Sequence, residues 1–407
     1  MKTSQKPVSL WRNRDYLLLW SGQLVSAVGS GVSQLAYPLL ALAITHSPAQ
    51  AGIVGAIGSL AYVLFILPAG AFLDRWDRKR VMIYCDTGRA LCLGSVVLAA
   101  LLGDLSIVQL YIVSFLSWSF GVFFDIAQLV CLPQVVSKEQ LPDALGLWQA
   151  SEGVLNLLGP PLGGTLFAIR AFFPFLFDAV SYSASIVSLL FICVPFQEER
   201  EAKPHNLRVE IFEGTHWLWH QPLLRAMALL TSGSMFFGAG SSLISIVIAQ
   251  QYHASSAFIG LIFSAYGLGG ILGAALAGRV QKRFSFAQII VGILWLYALF
   301  WFPLISLPPP FWLAVINFLL AFIGSLYVVA HVGRRLAMAP DALQSRINSA
   351  SRLIILGTVP VGQAITGLLL QYTTTRFTVI VLVIGQAILA MVAMFIPAIR
   401  RENTRML

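Results

Sequence analysis

Charge is scarce in this chain. Asp, Glu, Lys and Arg make up 11% of 407 residues, and no charged stretch is longer than a loop. A soluble domain needs far more charge to cover its surface, so the composition excludes one. Cysteine is scarce too. Cys85, Cys92, Cys131 and Cys193 are scattered along apolar segments with no metal spacing and no disulfide-like pair in a loop. They read as inert packing residues. There is no ATP-binding P-loop, no metal-spaced cluster and no hydrolase constellation, so neither an enzyme nor a cofactor is expected. No cleavable signal is read before the first apolar segment, which follows a polar, basic start.

What is present is apolar. Hydrophobic residues make up 58% of the chain, and the mean hydropathy is +0.81. A membrane-spanning helix needs roughly 20 apolar residues, and such runs recur throughout. Twelve helices are expected, at about 15–44, 50–73, 81–102, 106–136, 141–168 and 172–194, then 224–251, 256–279, 285–306, 309–334, 341–371 and 376–398. Ser47-Pro48, Gly103-Asp104 and Leu307-Pro308-Pro309-Pro310 mark turns on one side. The longest polar stretch, Gln197 to Pro222, separates the sixth and seventh spans. Its second half, Leu207 to Trp219, reads either as an amphipathic helix on the membrane face or as bare linker.

The net charge of +9 invites a nucleic-acid partner, but its distribution excludes one. Twenty-two of the 26 Lys and Arg fall in segments alternating along the chain on one side. Arg170 and Arg376 fall in loops of the other side, and Arg89 and Arg352 inside spans. This asymmetry places both termini in the cytoplasm. The expected location is a cell (inner) membrane, multi-pass, and the expected partners are the lipid bilayer, a small-molecule substrate and protons, with the chain a monomer.

The sequence also repeats. Gly52-Ile53 through Gly70 matches Gly260-Leu261 through Gly278 in glycine spacing. Leu141-Pro142-Asp143-Ala144-Leu145 matches Ala339-Pro340-Asp341-Ala342-Leu343, continuing through Ser151 and Ser349 to Leu158-Gly159 and Leu356-Gly357. The expected organisation is therefore all-α, with a six-helix half at 1–196, a cytoplasmic linker at 197–222 and a pseudo-symmetric six-helix half at 223–407. Such parallel repeats place a site near the bilayer midplane, where two halves rock against each other.

The most charged turn is Asp74-Arg75-Trp76-Asp77-Arg78-Lys79-Arg80. With the preceding Gly70-Ala71-Phe72-Leu73 it resembles motif A of the major facilitator superfamily, G-x-L-x-D-R-x-G-R-K. The resemblance implies the fold of that superfamily and a cytoplasmic gating latch built on Gly70, Asp74, Arg75 and Arg78. Gly70 is expected to let two helices approach closely. Asp125, in the fourth span, is the expected acid partner of Arg78. Asp77 stands where the motif has glycine, which leaves the turn geometry open. Gly159-Pro160-Pro161-Leu162-Gly163-Gly164 resembles the G-P-x-x-G-G core of motif C, found in antiporters of the superfamily. Its alternative reading is a small-residue packing kink. Asn13-Arg14-Asp15-Tyr16, Leu132-Pro133-Gln134-Val135-Val136 and Arg346 to Arg352 resemble the branch that holds macrolide exporters and the enterobactin exporter. Many members of that branch carry an acid after the glycine matched by Gly29. Here Ser30 occupies that place.

Ionisable groups within spans are costly, roughly 2.5–3.5 kcal/mol each on insertion scales, so each should face a cavity or a partner. Asp86 and Arg89 are three apart and share a helix face. Glu152, one turn before Asn156, is the leading candidate for proton exchange or for binding a cationic substrate. A plain bundle contact is its alternative. Asp178 is the second candidate, with a structural cap as the competing role. Arg89 and Arg352 are read as partners of these acids or of an anionic substrate. Most aromatics among Trp20, Tyr37, Tyr62, Trp118, Trp148, Phe236 and Tyr266 are expected to face lipid or pack. The function expected is proton-coupled export of a small amphipathic molecule, a drug or siderophore-like metabolite. A lipid or metabolite translocator and a transport-inactive sensor remain as alternatives.

Overall fold

The computed structural model describes residues 10–73, 75–137, 139–194, 196, 207–340 and 343–400. Among these, the helices are α1 (Arg14–Thr45), α2 (Pro48–Leu73), α3 (Arg78–Leu102), α4 (Ile107–Val135), α5 (Leu141–Ile169) and α6 (Phe173–Phe191). There follow α7 (Leu207–His220), α8 (Pro222–Gly238), α9 (Ser241–Gln251), α10 (Ser256–Arg283), α11 (Phe286–Trp301), α12 (Pro310–Met338), α13 (Gln344–Leu356), α14 (Val359–Tyr372), α15 (Thr375–Phe395) and α16 (Pro397–Arg400). Eleven segments among the described residues are long and apolar enough to cross a membrane. The twelfth, α5, has the length to span, but Asp143, Glu152 and Asn156 dilute its apolarity. It is sheltered instead by packing on α1 and α10. The fold is that of an all-helical, multi-pass membrane protein with twelve spans.

Two expected spans are broken. The seventh divides into α8 and α9 at Ala239–Gly240, and the eleventh into α13 and α14 at Gly357–Thr358. Pro360 lacks the N–H that would continue the ladder through the second break. Hydroxyls supply hydrogen bonds there. Ser232 donates to the Ile354 carbonyl (2.9 Å) and Thr358 to the Ser232 carbonyl (2.9 Å). Irregular backbone is tolerated at membrane depth where neighbouring groups satisfy it. The segment between the sixth and seventh spans does contain a helix, α7. It packs on α13, and its Glu213 pairs with Arg346.

Small residues set the helix seams. On α1, an added Cβ at Gly22 or Gly29 would collide with Ser188, or with Ser181 and Asp178, of α6. Gln23 donates to Ser185 (3.0 Å) in the same seam. The glycine repeat is visible as geometry. A Cβ at Gly52 of α2 would meet Gly367 of α14 at 2.8 Å, and one at Gly260 of α10 would meet Pro161 of α5 at 2.8 Å. Each half thus lays its second span against the fifth span of the other. Gly70 and Gly278, at the far ends of the repeats, do not serve this purpose. A Cβ at either would meet no described atom within 4 Å, contrary to the close approach expected at Gly70.

The basic turn is held by a cap. Asp77 has φ −62° and accepts from the Arg80 N–H (3.0 Å), so it caps α3 at its N-terminus. No left-handed backbone is required there, and the motif's glycine is dispensable. Trp76 stacks on Phe72 at 4.9 Å between ring centroids. Lys79 donates to the carbonyls of Ile192 (2.8 Å) and Leu190 (3.4 Å), at the C-terminal end of α6. A cation there satisfies free carbonyls and complements the helix dipole.

Candidate functional site

A chamber of about 820 Å³ lies between the first six spans and the last six. At the end away from the basic turns it is shut. Ser47 donates to Gln371 (2.7 Å) and Ser59 to Gln363 (2.5 Å), both across the Gly52–Gly367 contact. A second seam closes beside it. Gly164 of α5 lies on the Ser256 carbonyl of α10, Pro160 and Pro161 lie on Gly260, and Ser264 donates to the Leu157 carbonyl (2.8 Å). The expected motif C residues therefore form a backbone-to-backbone seam. Gly159 and Gly163 complete it on the other side, against Gly31 and Val32 of α1. This α5–α10 seam reaches mid-helix, at Gly153 and Ile271. Towards the basic turns the chamber is open, lined by Tyr16, Trp20, Leu132, Ala144 and Trp148.

Five of the expected ionisable residues meet this space. Arg89, Asp125, Glu152, Asp178 and Arg352 all line it, as does Asn156. Asp125, Glu152 and Arg352 are exposed, so water reaches them within the chamber. Glu152 accepts from the Trp148 indole (3.4 Å), and Asn156 donates back to the Glu152 backbone carbonyl (2.9 Å). Arg352, on α13, reaches across to the Tyr62 hydroxyl of α2 (3.2 Å). The aromatic expectation needs correcting. Trp20, Tyr37, Tyr62, Trp118 and Trp148 line the chamber, while Phe236 and Tyr266 are not among its lining residues.

The expected Arg78–Asp125 partnership takes a different form. Arg78 is buried and donates to the carbonyls of Leu73 (3.4 Å) and Phe196 (3.3 Å). Asp125 instead faces the chamber, ten residues before the end of α4, about 15 Å along the helix. There it lies in the field of Arg89, Glu152 and Arg352. Arg75 is exposed in the turn. Asp74 lies outside the described residues.

Set into the chamber wall is a buried cluster that the sequence disclosed only in part. Arg89 pairs with Asp86 at 3.5 Å, as their spacing implied. Its guanidinium also sits 4.5 Å from the Tyr182 ring centroid and donates to Ser30 (3.4 Å). Ser30 and Tyr182 share a hydrogen bond of 2.9 Å. Asp178, 1% exposed, accepts from Ser33 (2.5 Å) and from Ser181 (3.4 Å). Ser33 and Tyr182 were missed in the sequence. The available signals were the one-turn spacing of Asp178 and Tyr182 and the small-residue stripe of α1. Among the described residues, no group of three or more His, Cys, Asp or Glu is arranged to hold a metal.

The model of the transmembrane secretion effector family matches residues 5–405. The chain belongs to this branch of the major facilitator superfamily. Its relatives include the multidrug efflux pump Tap of Mycolicibacterium fortuitum, 26% identical over 402 residues, covering 94% of this chain and 96% of the relative. The enterobactin exporter EntS of Citrobacter koseri is 24% identical over 259 residues, covering 63% of this chain and 62% of the relative. Among solved structures, a bacterial homologue of the iron transporter ferroportin in its inward-facing state superposes with a TM-score of 0.76 at 15% identity. That match covers 98% of this chain and all of the other. The structural likeness adds the fold of the superfamily.

Proposed function

We propose that this family member exports small amphipathic molecules, drug or siderophore-like, in exchange for protons, by alternating access. The observation that carries the reading is the water-reached chamber between the two halves. It holds Glu152 and Asp125 on one wall and Arg352 on the other, amid aromatic rings. Aromatic and apolar surface suits an amphipathic body, and a carboxylate there serves either a proton or a cationic group. Glu152 is assigned that competition, since one charge then excludes the other. Two relatives named as exporters support the direction.

In this reading the basic turns face the cytoplasm of an inner membrane, as their cations favour. The chamber then opens inward. The halves, 1–196 and 223–407, rock about the α2–α14 and α5–α10 seams, and a monomer suffices. The test is an assay in everted vesicles with a lipophilic cation and a pH dye. Antiport gives substrate-dependent proton release from the lumen, and Glu152→Gln abolishes proton-driven accumulation at normal membrane levels. Unchanged transport by that variant removes Glu152 from the mechanism. Lipid movement without proton release turns the reading to a translocator, and silence turns it to a sensor.

A further inference from the structure

We propose that a second carboxyl, Asp178, carries the exchanged proton, in a buried cluster with Arg89 and Asp86 set apart from the substrate-facing Glu152. The inference rests on the antiport reading above and divides its chemistry between two places.

The argument is one of charge and position. Asp86 and Asp178 are 0% and 1% exposed, on α3 and α6, and Arg89 is the cation between them. Two buried carboxylates facing one guanidinium leave an unbalanced negative charge, and such a charge in a low-dielectric interior is expensive. One proton on the cluster restores neutrality, and interacting carboxyls of this kind titrate as a unit. Position decides which carboxyl exchanges it. Asp86 is committed to Arg89 through the ion pair. Asp178 lines the chamber and is bonded at 2.5 Å to the Ser33 hydroxyl, which can donate or accept, while the Ser181 hydroxyl gives its proton chiefly to the Asp178 backbone carbonyl (2.7 Å). Loss of its proton leaves the anion held by the Ser33 hydroxyl, and gain of one from chamber water leaves a neutral Asp86–Arg89 pair beside it.

The groups facing Asp178 are Tyr37 of α1, Arg89 of α3 and Tyr182 one turn along α6, with Asp86 beyond Arg89. Asp125 of α4 also draws on Arg89, and Glu152 of α5 acts on Asp125. These links give substrate at Glu152 a route to the proton at Asp178. A cation bound at Glu152 adds positive charge to the chamber, which disfavours the protonated, more positive state of the nearby cluster and so favours release of the Asp178 proton. The step balances: the proton leaves Asp178 Oδ for water, and the substrate's positive charge replaces it in the chamber.

The experiment uses the full-length protein in proteoliposomes with a lipophilic cation. Three readouts are taken: downhill exchange without a pH gradient, uphill accumulation driven by one, and substrate-induced proton release. Asp178→Asn is expected to lose uphill accumulation and proton release at least tenfold while downhill exchange continues. Glu152→Gln should lose all three. Ser33→Ala keeps the carboxyl but removes a bond to it, so the pH midpoint of uphill transport is displaced. Wild-type proton release and accumulation in Asp178→Asn overturns the proposal. Should Asp178→Asn fail to reach the membrane, Ser33→Ala decides, and an unmoved pH profile overturns it. Absence of proton release in the unmutated protein would instead defeat the antiport reading itself.

Discussion

Fifteen of the 17 acidic residues precede residue 214, and between Leu223 and Arg400 there is one, Asp341. The first six spans hold Asp86, Asp125, Glu152 and Asp178. The last six offer the chamber one charge, Arg352, beside Gln363 and a largely apolar surface at Gly240, Leu243, Leu356 and Val359. The two sets nevertheless pack on one plan, with Gly52 on α14 and Gly260 on α5. The repeat thus governs how backbones meet, and it does not govern chemistry. The first six spans carry most of the ionisable groups of the chamber, while the last six supply a wall with two broken spans.

The sharpest way to break this comparison is to remove one arginine from each half. Arg89→Leu strips the cation from buried carboxyls, and breaking a buried pair costs about 3–5 kcal/mol. Arg352→Leu removes an exposed cation that bonds the Tyr62 hydroxyl, so stability is expected to change by less than about 1 kcal/mol while transport changes. Denaturation in detergent, beside transport at equal membrane levels, checks both. Equal stability losses would mean that the halves share the electrostatic role.

Much of this division was legible in the sequence, for physical reasons. Span number follows from apolar length, and the Asp86–Arg89 pair follows from helical spacing. The Ser33–Asp178 bond joins residues 145 apart, and no local pattern fixes such a pairing. The broken spans were hidden because the 239–240 and 357–358 linkers are small and uncharged, and read as continuous helix. Gly70 misled because its place in a motif implied a contact, whereas the repeat's contacts are made at the other end. Asp77 was read against a glycine, although its side chain supplies the cap that settles the turn.

Glycine substitutions sharpen the geometric side. Gly52→Val and Gly260→Val force side chains onto the opposing backbone, and overpacking of this kind costs about 1–3 kcal/mol. Both should also favour the state open at the Ser47–Gln371 end. Gly70→Ala and Gly278→Ala meet open space and should be neutral or stabilise by roughly 0.5–1 kcal/mol, since alanine suits a helix better. Thermal unfolding separates the pairs. If Gly70→Ala proves as damaging as Gly52→Val, the contacts described here belong to one state and Gly70 packs in the other. Gln363→Ala is a milder test of the same end. Losing the Ser59 bond is worth about 1 kcal/mol, roughly a fivefold shift towards opening there, readable by spin-label distances across that end.

The smallest effect is expected where the halves' connector meets the second half. Glu213 of α7 pairs with Arg346 of α13, both partly open to water, with side-chain exposures of 45% and 36%. Exposed ion pairs contribute roughly 0–1 kcal/mol and weaken as salt rises. Glu213→Gln should therefore lower stability by less than about 1 kcal/mol, and the loss should vanish at high ionic strength. Gly214 beside it packs on the Arg346 backbone, so α7 keeps a close backbone contact with α13 when the charge is removed. Transport should be nearly unchanged. A several-fold loss of rate that persists at high salt would mean that α7 does more than connect, and that the connector acts on the second half through this pair.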